Sequence, residues 1–361
     1  MRIKTIATAA LVTATALAFA GCASNETPAA GGTTAAGGAT TLTGVGSSAM
    51  KAAQEKWVAD FQTKNTAVTV NYSPDGSGAG RSAFIAGAAN FAGSDRPFKD
   101  EEIGAGKFAG CAADSNALAL PVYISPIAVI FTVDGVTELA FDTDTIANIV
   151  AGKITKWNDP AIVKTNPSAK LPDLTITAVH RGDDSGTTNN FTDTLNKTSP
   201  TVWTEKASDT FPAAFGGEAA NGTSGVIQAV TGGKGTIGYA DASAAGTLGQ
   251  ASILVNGKPL QPTPEAAAAI LDNSKTIAGR DANDLSYSLE RTSEGVYPAV
   301  LVSYVIVCQT YKDAAVGTLV KDYVTYLASA DGQKDAATAA GSAPLSSALQ
   351  AKVKTAIDSV K

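Results

Sequence analysis

Three short stretches of this sequence gather hydroxyls, glycines and helix starts in a pattern suited to holding an anion. Gly44-Val45-Gly46-Ser47-Ser48 precedes a helical pattern that begins near Ala49. Asp75-Gly76-Ser77-Gly78-Ala79-Gly80 follows a strand pattern ending at Tyr72 and precedes a second helix. Arg181-Gly182-Asp183-Asp184-Ser185-Gly186-Thr187-Thr188 follows a strand pattern ending near Val179 and precedes a third. The first N–H groups of a helix lack intrahelical partners and carry the positive end of its dipole, so they suit anions. Glycine admits close approach of the backbone, and serine or threonine adds a hydroxyl donor. Three such starts meeting at one point would make an oxyanion site from neutral dipoles, and Arg181 would add a planar fork for the oxygens. Each stretch alone is equally an ordinary N-cap, because Ser, Thr and Asp are preferred there whatever the function. Arg181 alone is equally a surface partner for Asp183 or Asp184. The repetition is what points to a ligand.

So many serines also invite a hydrolase reading. The chain has one histidine, His180, and a Ser-His-Asp triad would have to use it. There is no G-x-S-x-G elbow, no H-E-x-x-H and no cluster with metal-ligand spacing. Gly76–Gly80 does not complete a dinucleotide fingerprint, and no P-loop is present. The sequence therefore predicts a binding protein without catalytic residues, metal or cofactor. Charge narrows the partners. The chain carries 27 basic and 33 acidic residues, a formal charge of −6. That balance argues against nucleic acid, which calls for a basic face. An anionic ligand would need a local site built from donors.

The N-terminus predicts export. Arg2 and Lys4 precede an uncharged run, Ile6 to Ala20, too short to span a bilayer comfortably but adequate for a signal peptide. Phe19-Ala20-Gly21-Cys22 resembles a bacterial lipobox, with Phe where Leu is commoner; the alternative is an ordinary cleaved leader with a stray cysteine. Lipidation of Cys22 would give stable membrane anchoring through two acyl chains. Residues 22–41, the cysteine and an Ala/Gly/Thr-rich run, read as a flexible tether reaching on the order of 25 Å. Loss of Arg2 and Lys4 with the leader leaves 25 basic residues against 33 acids, a charge of −8. Two cysteines remain, Cys111 and Cys308. In an exported protein such a pair is expected as a disulfide, the alternative being two separate buried thiols.

The elements that must position the turns alternate. Ala67–Tyr72, Leu118–Val122, Ile127–Val133 and Leu174–Val179 read as strands. Ala49, Ala52, Ala53, Trp57 and Phe61 share a helical face, as do Phe84, Ile85 and Ala88, and later Phe191 and Leu195. Leu319–Leu327 and Ser346–Val360 read as further helices, and Asp209–Gly225 as loop. The alternation predicts an α/β protein, and about 320 residues after the tether suggest two lobes.

At this point the ordered motifs resemble a known family. Thr43–Ser48, Gly76–Gly80, Phe91-Ala92-Gly93-Ser94-Asp95, Gly152–Asp159, Arg181–Thr187 and Gly235–Tyr239 look like the successive motifs of the PstS phosphate-binding proteins of ABC transporters. The resemblance implies a type II periplasmic-binding-protein fold, two α/β lobes joined by two crossing segments. Here the crossings would fall near Tyr123–Ile130 and Tyr297–Tyr304. Lobe I would comprise 42–123 plus 303–361 and lobe II 124–302, placing Cys111 and Cys308 in one lobe. The implied phosphate contacts are Ser48 with the backbone of Ala49, then Ser77, Asp95, Arg181, Ser185, Gly186 and Thr187, with Asp183 orienting the arginine. Ser48-Ala49 stands where the family has Thr-Phe, so the aromatic ring is missing. Implied partners are inorganic phosphate, the permease subunits of an importer and, through Cys22, the membrane; the expected state is monomeric. A phosphatase-like or other oxyanion-binding lipoprotein on the same fold is the alternative.

Asp95 discriminates among oxyanions. A carboxylate beside an anion repels it unless the anion carries a proton. Phosphate near neutral pH keeps at least one proton, whereas sulfate, molybdate and tungstate keep none. Facing sulfate, an ionised Asp95 would leave two acceptors opposed and unpaired, a costly arrangement when buried.

Overall fold

The computed structural model describes residues 39–361. The predicted leader and Cys22 lie outside these residues. The chain opens with β1 (Thr41–Gly46), α1 (Lys51–Lys64), β2 (Thr69–Ser73), α2 (Ser77–Ile85) and β3 (Phe91–Ser94). The long β4 (Ala117–Thr132) leads to β5 (Ala140–Phe141), α3 (Thr143–Val150), α4 (Pro160–Thr165), β6 (Thr177–Arg181) and α5 (Gly186–Thr198). Next come β7 (Glu218–Ala220), α6 (Gly222–Gly232), β8 (Thr236–Asp241), β9 (Gly249–Val255) and β10 (Lys258–Leu260). The short α7 (Pro264–Ala268), α8 (Ile270–Asn273), β11 (Lys275–Thr276) and β12 (Tyr287–Ser288) precede β13 (Val300–Cys308), α9 (Ala314–Ala328), α10 (Ala330–Ala340) and α11 (Ser347–Asp358). β1 begins at Thr41, just inside the stretch assigned to the tether.

The main path of the sheet runs β2-β1-β3-β13-β4-β8-β6-β7. β1 is parallel to β2 and β3, β6 is parallel to β7 and β8, and β13 is antiparallel to β3 and β4. Parallel strands need helical crossovers, and α1, α2, α5 and α6 supply them. The turns after β1, β2 and β6 therefore open at carboxyl ends of strands, where ligands bind in α/β sheets.

The two strand patterns at Leu118–Val122 and Ile127–Val133 are one continuous β4, running through Pro121 and Pro126. Its first half pairs with β13 and its second half with β8 and β9. Ala119 N–H, on the same edge as Pro121, donates to Asp284 Oδ1 at 3.2 Å, and Ile124 C=O, on the same edge as Pro126, accepts from Ala343 N–H at 2.8 Å. Both prolines thus lie on the edge of β4 facing loops in that half, where a missing N–H costs no ladder bond.

Helix α1 buries Ala53, Trp57 and Phe61, one every four residues, and Trp57 Nε1 donates to Gly332 C=O at 2.6 Å. In α2 the expected face of Phe84, Ile85 and Ala88 does not form. Ile85 is 37 % exposed and Ala88 lies beyond the helix end, also exposed. The buried stripe is Ser77, Arg81 and Phe84, because Arg81 is needed inside. Cys111 and Cys308 form a disulfide with Cα atoms 5.3 Å apart, tying the end of β13 to the segment before β4. Among the described residues, no helix is long and apolar enough to cross a membrane.

Candidate functional site

The second and third glycine-serine turns meet at the end of β3. Ser77, the first residue of α2, accepts the Asp95 backbone N–H on its Oγ at 3.1 Å. Thr187 Oγ1, from the first turn of α5, donates to Asp95 Oδ2 at 3.2 Å. Gly186 fits between them, since a Cβ there would lie 2.6 Å from Ser77 Oγ and 2.7 Å from Asp95 Cβ. Gly76 has φ 101°, and a Cβ on it would meet Asp183 Oδ2 at 2.6 Å. Only glycine supplies both that conformation and that approach. Gly78 N–H donates to Asp184 C=O at 3.0 Å, locking the two turns together.

The first turn joins through α6. Ser48 Oγ lies 3.0 Å from Thr223 Oγ1 and accepts Thr223 N–H at 3.1 Å. The neighbouring Gly222 N–H donates to Asp183 Oδ1 at 2.9 Å. Asp183 in turn holds Arg181, accepting from Nε at 2.7 Å and from Nη2. Burial pushes the Asp183 carboxyl up, but the Arg181 guanidinium and Gly222 N–H outweigh it and hold it below the usual carboxylate range. Ser48, Ala49, Ser77, Asp95, Arg181, Ser185, Gly186 and Thr187 are all buried. Two of them also have ordinary local roles. Ser185 Oγ caps α5, accepting Thr188 N–H at 3.1 Å, and Ala49 N–H donates to Ser47 Oγ at 3.2 Å.

Several members of this neighbourhood were not singled out from sequence. Asp209–Gly225 is not all loop, since it holds β7 and the start of α6 that delivers Thr223. Asn221-Gly222-Thr223 ahead of an apolar run was a usable helix-start signal. Ser303 Oγ, from β13, donates to Asp95 Oδ1 at 2.8 Å. Asp209 accepts from Arg81 Nη2 at 2.7 Å and from Arg96 Nε at 2.9 Å and Nη2 at 2.7 Å. Arg96 also grips Glu102 at 2.6 and 2.9 Å. Burial disfavours both charged forms, yet the pairing prevails: Arg96 lies above its usual value and Glu102 falls to about 2.

The His180 ring stacks on Phe211 with centroids 4.3 Å apart, and its Nδ1 lies 2.9 Å from Arg181 C=O. Among the described residues, no group of His, Cys, Asp and Glu has the arrangement of a metal site.

Comparison with known proteins places the chain. A PBP superfamily domain model matches residues 31–331. The phosphate-binding protein PstS 3 of Mycobacterium leprae is 34% identical over 379 aligned positions, covering 100% of both chains. The phosphate-binding protein PstS 2 of Mycobacterium tuberculosis is 35% identical over 327 positions, covering 87% of this chain and 86% of that one. A solved structure of a high affinity periplasmic phosphate-binding protein (PfluDING) bound with phosphate superposes with a TM-score of 0.69 at 23% identity, over 87% of this chain and 93% of that one. The fold is accordingly the two-lobed type II periplasmic-binding-protein fold that the motifs implied. With the ordered turns, the meeting of the second and third at Asp95 and full-length likeness to the mycobacterial proteins, the chain belongs to the PstS phosphate-binding protein family of the PBP superfamily.

Proposed function

We propose that this protein captures inorganic phosphate outside the cell and delivers it to the permease subunits of an ABC importer, acting as a binding protein and not as an enzyme. The phosphate contacts in this reading are Ser48, the Ala49 backbone, Ser77, Asp95, Arg181, Ser185, Gly186 and Thr187, with Asp183 aligning Arg181. Cys22 carries the lipid that keeps the monomer at the membrane, and 22–41 is its tether. Lobe I is 42–123 plus 303–361 and lobe II is 124–302. The change of pairing partner within β4, from β13 to β8 near Ile127, supports a crossing there.

One observation carries the choice of ligand. Asp95 is 3 % exposed, and among the described residues its carboxylate oxygens accept from hydroxyls alone, Ser303 on Oδ1 and Thr187 on Oδ2. A buried carboxylate that forms no ion pair among the described residues, where the starts of α2 and α5 meet, suits an anion that brings its own proton. Isothermal calorimetry tests the reading. Phosphate at neutral pH should give a saturable binding heat and sulfate none. No heat with phosphate, or equal affinity for sulfate, overturns it, and turnover of a chromogenic phosphate ester by the pure protein would favour an enzyme instead.

A further inference from the structure

Asp95 can reject an unprotonated anion only if a carboxylate oxygen is aimed at that anion as an acceptor. What fixes the carboxylate is therefore part of the selectivity. Ser303 is fully buried in β13, within the apolar run Val300–Cys308, and its hydroxyl donates to Asp95 Oδ1 at 2.8 Å. It sits where the pairing of β13 with β4 shifts register, between Ser303 and Tyr304, opposite Tyr123. The backbone on both sides of Asp95 is fixed as well, with its N–H on Ser77 Oγ and its C=O accepting Asn190 Nδ2 at 2.6 Å. The carboxylate cannot easily turn to find another donor. The charged groups around it are committed elsewhere: Arg81 and Arg96 to Asp209, Arg181 to Asp183, and Arg291 to Asp193. Tyr72 gives its hydroxyl hydrogen to Ser47 C=O at 2.9 Å.

We propose that Ser303 is a specificity-determining positioning residue, which fixes the Asp95 carboxylate by Oδ1 and turns Oδ2 toward the ligand, so that phosphate is accepted through its own proton and sulfate is refused. The inference rests on the phosphate-binding reading above. Removing the Ser303 hydroxyl leaves Oδ1 without a partner in a buried place and frees the carboxylate to turn away from the ligand. Thr187 cannot replace it, because its hydroxyl lies on Oδ2 and belongs to a helix start that faces the ligand.

The test is competition calorimetry of phosphate against sulfate at neutral pH, on the wild type, Ser303→Ala and Ser303→Thr. Removing one hydrogen bond to a charged group corresponds to about a tenfold effect or slightly more. Ser303→Ala should therefore lower the preference for phosphate over sulfate about tenfold. Ser303→Thr keeps the hydroxyl on a strand and should restore exclusion. Should the alanine variant fail to fold, Ser303→Cys keeps the volume with a weaker donor and should lower the preference in the same direction. A purely structural role for Ser303 would lower stability without changing the phosphate-to-sulfate preference, and an unchanged preference in the folded variants overturns the inference. The two readings fail separately. A wild type that takes no phosphate sinks the function itself, whereas a wild type that binds phosphate and excludes sulfate no better than Ser303→Ala sinks only the role of Ser303.

Discussion

Two carboxylates in this molecule, Asp95 and Asp209, lie near one another in the fold and are held in opposite ways. Asp209 accepts from two guanidiniums, Arg81 and Arg96, and its charge is fully countered. Asp95 accepts from two hydroxyls and forms no ion pair among the described residues. Arg96 is adjacent to Asp95 in sequence yet turns away to Asp209 and Glu102. Neutralising Asp95 with its neighbour would have been the simpler way to bury it. Leaving it uncountered makes sense where an anion with a proton completes the arrangement. The Asp209 network joins α2 and the end of β3 to the segment after α5, and Ser185 N–H donates to Asp209 C=O at 2.9 Å. It braces the site, whereas in the proposed function Asp95 reads the ligand.

The sharpest way to break this comparison is to remove Asp209. Asp209→Ala leaves two buried guanidiniums without their shared acceptor, and breaking a buried pair costs about 3–5 kcal/mol. The urea midpoint should fall accordingly while phosphate remains preferred over sulfate; loss of selectivity would place Asp209 in the recognition machinery instead. Arg181→Ala acts on the other side of the comparison. It removes charge-assisted donors and leaves Asp183 facing the anion, so phosphate affinity should fall about a hundredfold by calorimetry. Unchanged affinity would take Arg181 out of the site.

A third carboxylate, Asp241, sharpens the contrast through pH. It is fully buried and held by neutral donors, Tyr123 at 3.0 Å and Ser243 N–H and Oγ at 2.9 and 2.5 Å, and burial pushes it up to about 6 despite these bonds. Because its folded value exceeds its unfolded one, its contribution is fully present below about pH 4 and is lost as pH rises through about 6. Asp241→Asn cannot titrate. Relative to wild type it should therefore gain about 2 kcal/mol between pH 4 and pH 7, read from urea midpoints at both. A difference independent of pH would mean that Asp241 is not the titrating group. Glu102 has the reverse sign, since its value falls to about 2 and its contribution is lost as pH drops below about 4. The smallest expected effect is at Asp95 itself. Asp95→Asn should shift stability less than Asp209→Ala, yet let sulfate compete about tenfold better. Unaltered exclusion of sulfate would remove the proton-acceptor role.

Much of the site is written locally. The three turns, Asp95, and the spacing of Arg181 to Asp183 are short-range patterns, and each corresponds to a strand end or helix start in the structure. The Cys111–Cys308 pair followed from export chemistry and is bridged. What escaped is long-range. Asp209 meets Arg81 from 128 residues away and Ser303 meets Asp95 from 208, and no periodicity encodes such meetings. Ser303 did leave a trace, a lone serine inside the apolar run Val-Leu-Val-Ser-Tyr-Val-Ile-Val, where a buried donor needs a partner. The sequence divides β4 into Leu118–Val122 and Ile127–Val133 with Pro126 in the gap, and the edge that Pro121 and Pro126 face lets the strand run through both. Ile85 was placed inside by its type, although the inward stripe of α2 is set by Arg81 and its partners.

The central claim is that the carboxylate of Asp95 recognises a proton on the bound anion, and a high-resolution structure of the phosphate complex tests it most directly. One phosphate oxygen should lie about 2.5–2.7 Å from an Asp95 carboxylate oxygen, as an O–H···O⁻ bond requires, with the others facing Arg181 and the helix starts. Phosphate bound elsewhere, or held in this cluster with all its oxygens beyond hydrogen-bond reach of Asp95, would contradict the account.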